Sequence, residues 1–573
     1  MRTKHSNDMN FIKYILICVL FLFITNIFAQ VKNKDLGSEQ VEILGEFNPE
    51  ISDAHKIGRN PVIRDTTAKL SISGYNLLDK KINTRFEVDP IPSARMKGEP
   101  LSRIYRSYIK GGIGNYSTPL GGIYFNSLRS KEFSYVAYLK HISSSGSMPN
   151  ALYSGFSNTE TGLSGQYFKK FHTVSGEFDY NRNVVHYYGF PTRPPLIDFN
   201  IDDKDLIRQR FNSFTGSGEL QSSYKDSSKL NHHVNLKYNN YADFYDIAVE
   251  NNIRLDVSLN KYHGNELLGT DVMVDYYHNT LPDLTSFNTI IKVNPNVISS
   301  GSKWKVKAGL NIFAEVATDN VGKFHFYPDM NVNFNLVDDI VIPFAGITGN
   351  LERNSFRSLT RINPFMSANA PLKNADTRYN VYLGLRGSMS SEITYNSRVA
   401  YSDVRNMPFF INDPAVFYPE RFIAVYDDVR LLNITAELAY QKTEKLKLLL
   451  KGDWYRYEMT NEMLPWHRPE MEVKFTSLYS LRDKIILRSD IFYMNARYGR
   501  ERFSISGDND LVFGTYPVRL KGFADINLGI EYRYTKQLSA FVNFNNIGAV
   551  RYNRWYNYPT QRFNLMGGFT YSF

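Results

Sequence analysis

The closing stretch Arg562-Phe563-Asn564-Leu565-Met566-Gly567-Gly568-Phe569-Thr570-Tyr571-Ser572-Phe573 decides the fold of this chain. Phe563, Leu565, Gly567, Phe569, Tyr571 and Phe573 fall on one face of an extended strand. Arg562, Asn564, Met566, Gly568, Thr570 and Ser572 fall on the other. Side chains alternate sides of a strand at every step, so a period of two is the mark of a ribbon with one oily and one wet face. Aromatic rings crowd its last turn of the code, where a membrane-spanning strand carries an interfacial girdle.

The code recurs upstream. Ala524, Ile526, Leu528, Ile530, Tyr532 and Tyr534 alternate with Asp525, Asn527, Gly529, Glu531 and Arg533. The Thr535-Lys536-Gln537 turn then leads into Leu538, Ala540, Val542 and Phe544, set against Ser539, Asn543 and Asn545. Far upstream, Ile253, Leu255, Val257 and Leu259 alternate with Arg254, Asp256, Ser258 and Asn260. In a soluble sandwich the apolar faces would cover one another. Here there are too many, and lipid is the remaining cover.

The connections fix the topology. Short polar turns are centred near Ser130, Phe171, Ser227, Gly264, Gly301, Asp338, Ser391, Thr443, Asp483 and Lys536. Between them lie pairs of strands joined by more variable links, with long loops expected near 184–207, 353–375, 404–428 and 497–516. Ten turns separate eleven hairpins, which predicts an all-β, transmembrane antiparallel β-barrel of about 22 strands over residues 102–573. The turns near Ser227, Gly264, Gly301 and Asp338 are evenly spaced, as a constant membrane thickness requires.

Composition agrees. The 573 residues include 40 Tyr and 39 Phe, and long helix-forming tracts are hard to find. Mean hydropathy is only −0.36, which would suit a soluble protein, but alternating faces average to such a value in a barrel. At the N-terminus Arg2, Lys4 and Lys13 accompany an apolar run from Tyr14 to Ile24, and Ala29 precedes Gln30. That run is shorter than the 18 or so residues a membrane helix needs, so residues 1–29 read as an export signal. The single cysteine, Cys18, lies inside it, preceded by Ile17 where a lipoprotein signal carries a small residue. A mature chain without thiols has no disulfide and no thiolate chemistry. The net charge of +10 is scattered, which does not suit nucleic-acid binding.

Residues 30–101 have a different texture, with Pro49, Pro61, Pro90, Pro92 and Pro100 among many charged and amide side chains. The apolar pieces Val41-Glu42-Ile43-Leu44 and Leu70-Ser71-Ile72-Ser73 are too small for an independent core. The expectation is a short periplasmic or luminal arm, or a reduced plug.

Three segments carry a family likeness: Asp525-Ile526-Asn527-Leu528-Gly529-Ile530-Glu531-Tyr532, then Asn545-Asn546-Ile547 with Arg551-Tyr552-Asn553-Arg554-Trp555, then Gly567-Gly568-Phe569-Thr570-Tyr571-Ser572-Phe573. With 22 strands, the chain resembles TonB-dependent receptor barrels, in wording over the last stretch and in architecture throughout. The resemblance implies a role in nutrient transport, and it implies that Phe569, Tyr571 and Phe573 are the segment read by the barrel insertion machinery. Those receptors carry a glycine-rich plug that the 30–101 arm does not match, so the likeness is to the plug-poor, receptor-like barrels common in Bacteroidota. Ser38-Glu39-Gln40-Val41-Glu42-Ile43 is similar to a TonB-contacting box.

Candidate chemistry is sparse. His141 and Ser143 would share one strand face, the spacing a lipid-hydrolysing Ser/His pair needs, but a third, orienting acid is not evident. His232 and His233 must face opposite sides of a strand and cannot hold one metal. Asp202-Asp203, Asp338-Asp339 and Asp427-Asp428 are isolated acidic pairs, more in keeping with solvated turns than with calcium sites. The chain therefore reads as a non-enzyme without cofactor.

Arg254, Asp256, Asp525, Glu531 and Arg533 fall on the wet face and are candidate lumen residues along a solute path. Two functions fit. The first is a receptor-like transport barrel, its wide lumen closed by the arm, loops or a partner. The second is a structural or assembly subunit anchoring envelope lipoproteins. Expected partners are outer-membrane lipid and lipopolysaccharide, the insertion machinery, and either an outer-membrane lipoprotein or TonB.

Overall fold

The computed structural model describes residues 104–146, 148, 151–189, 204–281, 285–318, 320–414, 420–506 and 511–573. The expected signal segment and arm lie outside these residues. In chain order the strands are β1 (Ser107–Gly114), β2 (Thr118–Asn126), β3 (Phe133–Ser144), β4 (Phe156–Phe168), β5 (His172–His186), β6 (Arg208–Ser222), β7 (Asn231–Asp243), β8 (Ala248–His263), β9 (Glu266–Thr280), β10 (Thr285–Ser300), β11 (Trp304–Ala317), β12 (Asn320–Phe334) and β13 (Ile342–Glu352). The short helix α1 (Phe356–Ile362) follows. Then come β14 (Ala375–Ser390), β15 (Ile393–Asn412), β16 (Phe422–Lys442), β17 (Leu446–Met459), β18 (Met471–Leu481), β19 (Ile485–Met494), β20 (Arg497–Ser506), β21 (Leu511–Leu520), β22 (Phe523–Arg533), β23 (Leu538–Asn545), β24 (Asn553–Trp555), β25 (Tyr558–Pro559) and β26 (Asn564–Ser572).

Twenty-two of these strands form one antiparallel sheet, as the alternation predicted. β1 pairs with β2 on one edge and with β26 on the other, Tyr108 opposite Ser572 and Gly114 opposite Met566. Ser107 N–H donates to the Phe573 carbonyl at 2.9 Å, and Phe573 N–H returns a 2.9 Å bond to Ser107. The first strand thus meets the last, and the sheet is a closed barrel without a free edge.

The two faces sort as expected. Leu565, Phe569, Tyr571 and Phe573 point outward and are exposed, Phe569 by 65%, while Met566 and Thr570 between them are buried inside. The same outward column of large apolar side chains runs through Phe178, Phe214, Ile253, Phe326, Leu383 and Leu450.

All ten predicted turn centres fall in the gaps between paired strands, which lie at 127–132, 169–171, 223–230, 264–265, 301–303, 335–341, 391–392, 443–445, 482–484 and 534–537. The tightest holds Gly264 at φ +62°, a left-handed value that favours glycine in a two-residue hairpin turn. Two of the predicted long loops are corrected. Over 404–428, β15 and β16 run on to Asn412 and from Phe422, paired past a bulge between Val404 and Met407. The polar residues there are satisfied by the neighbouring strand and the next connection: Asn406 N–H, at φ +53°, donates to Asp428, and Asp427 accepts backbone N–H groups from Thr460, Asn461 and Glu462. Over 497–516, β20 and β21 form a two-stranded hairpin, while β19 pairs directly with β22 beneath it.

Candidate functional site

At the end of the barrel opposite the ten short turns, the long connections interlock. α1 begins with a reciprocal cap, Ser355 Oγ accepting from Ser358 N–H while Ser358 Oγ accepts from Ser355 N–H. Its apolar side, Phe356 and Leu359, packs on Phe211 and Tyr241 of the barrel wall. Tyr241 Oη and Thr360 Oγ1 share a 2.7 Å hydrogen bond. Beyond α1, Phe365 stacks on Tyr558 with ring centres 3.9 Å apart, and both rings contact Tyr188. Ser367 N–H donates to Phe422 O at 2.8 Å, and Phe422 N–H donates to Phe365 O at 3.0 Å.

Two polar ties run through this apolar layer. Arg421 Nη1 meets Asp246 Oδ1 at 2.6 Å with both side chains nearly buried, and Asp246 Oδ2 also accepts Ala368 N–H at 2.7 Å. Deeper in, the His467 ring contacts Phe410 O through Nδ1 at 2.9 Å and accepts Tyr556 N–H at Nε2, at 3.2 Å. Since Nε2 accepts, Nδ1 carries the proton and donates. Complete burial pushes this imidazole down to about 3.

A histidine with a depressed folded-state value stays neutral while the unfolded chain takes up a proton near pH 6.5. Stability is therefore full above about pH 6.5 and declines as pH falls toward 3, by about 2 to 3 kcal/mol at pH 4.5. Limited proteolysis of the 546–563 loop across pH 7.5 to 4.5 should reveal that loss. His467→Gln should lower the stability at pH 7.5 and flatten its pH dependence; an unchanged profile would contradict the assignment.

Under the layer lies a cavity of about 1060 Å³. One wall is acidic: Glu160, Glu177 and Asp179 face inward because Phe178 and Leu163 on the same strands face out. Asp179 accepts from Tyr138 Oη at 2.8 Å, and Lys140 lies 3.5 Å from Glu160. Basic groups line it too, Lys237 on β7, Arg357 and Arg361 from α1, and Arg554 and Arg562 from the connection between β23 and β26. Burial and the neighbouring Arg361 hold the Arg357 guanidinium below its usual range, and its Nε is buried without a partner. A smaller cavity of about 450 Å³ lies among Glu250, Tyr277, Arg353 and the chain from Asn354 to Asn374.

Of the five lumen candidates read from the sequence, only Asp525 lines the large cavity, where it accepts from Tyr552 Oη at 2.8 Å. Arg254 and Asp256 bind each other through two bonds of 2.8 and 2.9 Å. Glu531 lies 3.3 Å from Arg488 and 3.6 Å from Arg533. These four make wall ion pairs and do not converge on one place. Arg357 and Arg361 were missed because they sit in a stretch with only loop signals; their spacing of four was the one available sign of a helix face.

His141 Nε2 does lie 3.2 Å from Ser143 Oγ, and its Nδ1 lies 2.8 Å from Thr159 Oγ1. The third group is a neutral hydroxyl rather than an acid, and the trio shares the outward face with Leu139. His233 bonds Glu219 at 2.8 Å, while His232 lies beside His172. Among the described residues no three His, Cys, Asp or Glu side chains converge as metal ligands.

No family model matches the sequence, and no curated protein matches it. Solved structures do. The FrpB iron transporter from Neisseria meningitidis superposes with a TM-score of 0.63 at 11% identity, covering 82% of this chain and 82% of that one. The ferripyoverdine receptor of the Pseudomonas aeruginosa outer membrane gives 0.61 at 11% identity, with 82% and 72% covered. The ferric-catecholate import receptor Fiu from E. coli K12 gives 0.59 at 9% identity, with 82% of each covered. At such identities the likeness is one of fold: a closed 22-stranded barrel of the type found in TonB-dependent receptors.

Proposed function

We propose that this chain is an outer-membrane, receptor-like barrel that takes part in moving or capturing a solute, and that it is not an enzyme. The observation that carries the reading is a layer of packed aromatics at the long-loop end, above a cavity lined by both acidic and basic side chains. A barrel of this width would leak if open, and an inward-folded layer suits a gated path. Asp525, Glu160, Asp179, Arg357 and Arg361 are the residues assigned to the solute. Arg254, Asp256, Glu531 and Arg533 line the approach.

Residues 1–29 are read as a cleaved export signal, and residues 30–101 as the element that closes the lumen in place of a full plug. Outer-membrane lipid and the insertion machinery are the partners this reading requires, with TonB coupling through residues 38–43. The second reading is a scaffold that anchors a lipoprotein and passes nothing, and the near-complete burial of Tyr187, Phe422 and Tyr558 in the aromatic layer favours it.

Planar-bilayer conductance separates the two. A chain lacking residues 30–101 should pass ions that the full chain does not. If neither conducts and an outer-membrane lipoprotein co-purifies with the full chain, the scaffold reading replaces transport. A further expectation concerns assembly through Phe569, Tyr571 and Phe573. Removing Phe573 deletes an outward ring and the carbonyl that receives Ser107 N–H, so folded barrel in the membrane fraction should drop several-fold. Normal levels would count against that role.

A further inference from the structure

We propose that the outer wall of the barrel at β5 and β6 binds a phosphate group borne by a lipid of the surrounding leaflet, through Arg182, Arg208 and Arg210. All three point away from the lumen. Arg182 stands between Asn181 and Asn183, which line the inner cavity, and Arg208 and Arg210 flank Gln209, which is wholly buried against Tyr187. Alternation then places the three guanidiniums outside.

Register brings them together. Arg182 is opposite Asn212, and Val184 is opposite Arg210. Arg210 is therefore the diagonal neighbour of Arg182, and Arg208 the next outward position along the same strand.

Their height is set by the rings below. Phe178 and Phe214 face outward and pack edge to face, with centres 4.5 Å apart. Arg182 lies four residues beyond Phe178, and Arg210 four residues from Phe214, both toward the long-loop end. Four residues of a tilted strand rise about 10 Å, the distance from buried acyl chain to headgroup.

The charges are available. Arg182 has no ion-pair or hydrogen-bond partner among the described residues, and the Nε of Arg210 is buried without one. The Arg210 guanidinium carbon lies 3.8 Å from the centre of the Phe244 ring, a cation–π contact that holds the charge against the outer wall. Only Arg208 is paired, with the exposed Asp205 at 2.8 Å. Two guanidiniums with no ion-pair partner among the described residues, above an apolar column, match a phosphomonoester whose acyl chains lie along that column.

The test uses the full chain in detergent with added lipid A, the same lipid dephosphorylated, or inorganic phosphate, with retained lipid counted by native mass spectrometry. Wild type should retain phosphorylated lipid A at least fivefold over the dephosphorylated form. Arg182→Gln with Arg210→Gln should erase that preference, whereas Arg456→Gln, on the far outer wall, should not. Equal retention of both lipids by wild type, an undiminished preference in the double variant, or displacement of lipid A by millimolar inorganic phosphate would overturn the proposal. The wild-type comparison stands even if a variant folds poorly.

Discussion

Asp246→Ala should raise the rate at which protease cuts the 353–374 and 413–421 connections by about a hundredfold or more. The substitution strands the Arg421 guanidinium in an apolar layer and removes the acceptor for Ala368 N–H. Breaking a buried pair from one side costs about 3 to 5 kcal/mol, and each 1.4 kcal/mol is a factor of ten in the open population. Most of the loss falls on the loops, since the strands beneath are held by their own ladder. Changing both partners, Asp246→Ala with Arg421→Met, should be milder than either charge removed alone, because no orphan charge is left. Cutting rates equal to wild type in the single variant would mean that the aromatic stacking of Phe365 and Tyr558 holds the layer by itself.

Gly568→Val should nearly abolish recovery of closed barrel, while Gly111→Ala should leave it unchanged. Gly568 and Gly112 are paired across the seam between β26 and β1, and both face the lumen beneath the Phe541 ring. A Cβ at Gly568 would collide with the Gly111 carbonyl oxygen and with that ring, over which Lys110 Nζ sits 4.5 Å from the ring centre. Gly111 faces outward with nothing within 4 Å of its missing Cβ. Heat-modifiable mobility in electrophoresis reads closure directly. Normal mobility of Gly568→Val would show that the seam tolerates a shifted ring.

The strand count and every turn were legible because lipid and water impose a two-residue alternation that local sequence must carry. Residues 404–428 misled the reading for the opposite reason. Asp403, Asp427 and Asp428 are strand residues whose acidity is answered by Arg378 and by backbone N–H groups from distant loops, contacts that no local window contains. α1 is only seven residues long, and its cap uses Ser358 where the usual signature has Glu or Gln, so its one mark was the spacing of Arg357 and Arg361. The aromatic layer depends on Tyr188, Phe365, Phe422 and Tyr558 meeting from four separate connections. Their sequence positions alone say only that aromatic residues occur in loops.

Because Ser107 and Phe573 trade hydrogen bonds, the ribbon has no privileged beginning. A few residues of linker could join the two, and fresh termini could be cut at the narrow link between β11 and β12 without removing a single rung. Such a circularly permuted molecule would keep its wall but present its old tail as an internal segment. It would then test, apart from the architecture of the wall, the proposal that the final strand serves in assembly.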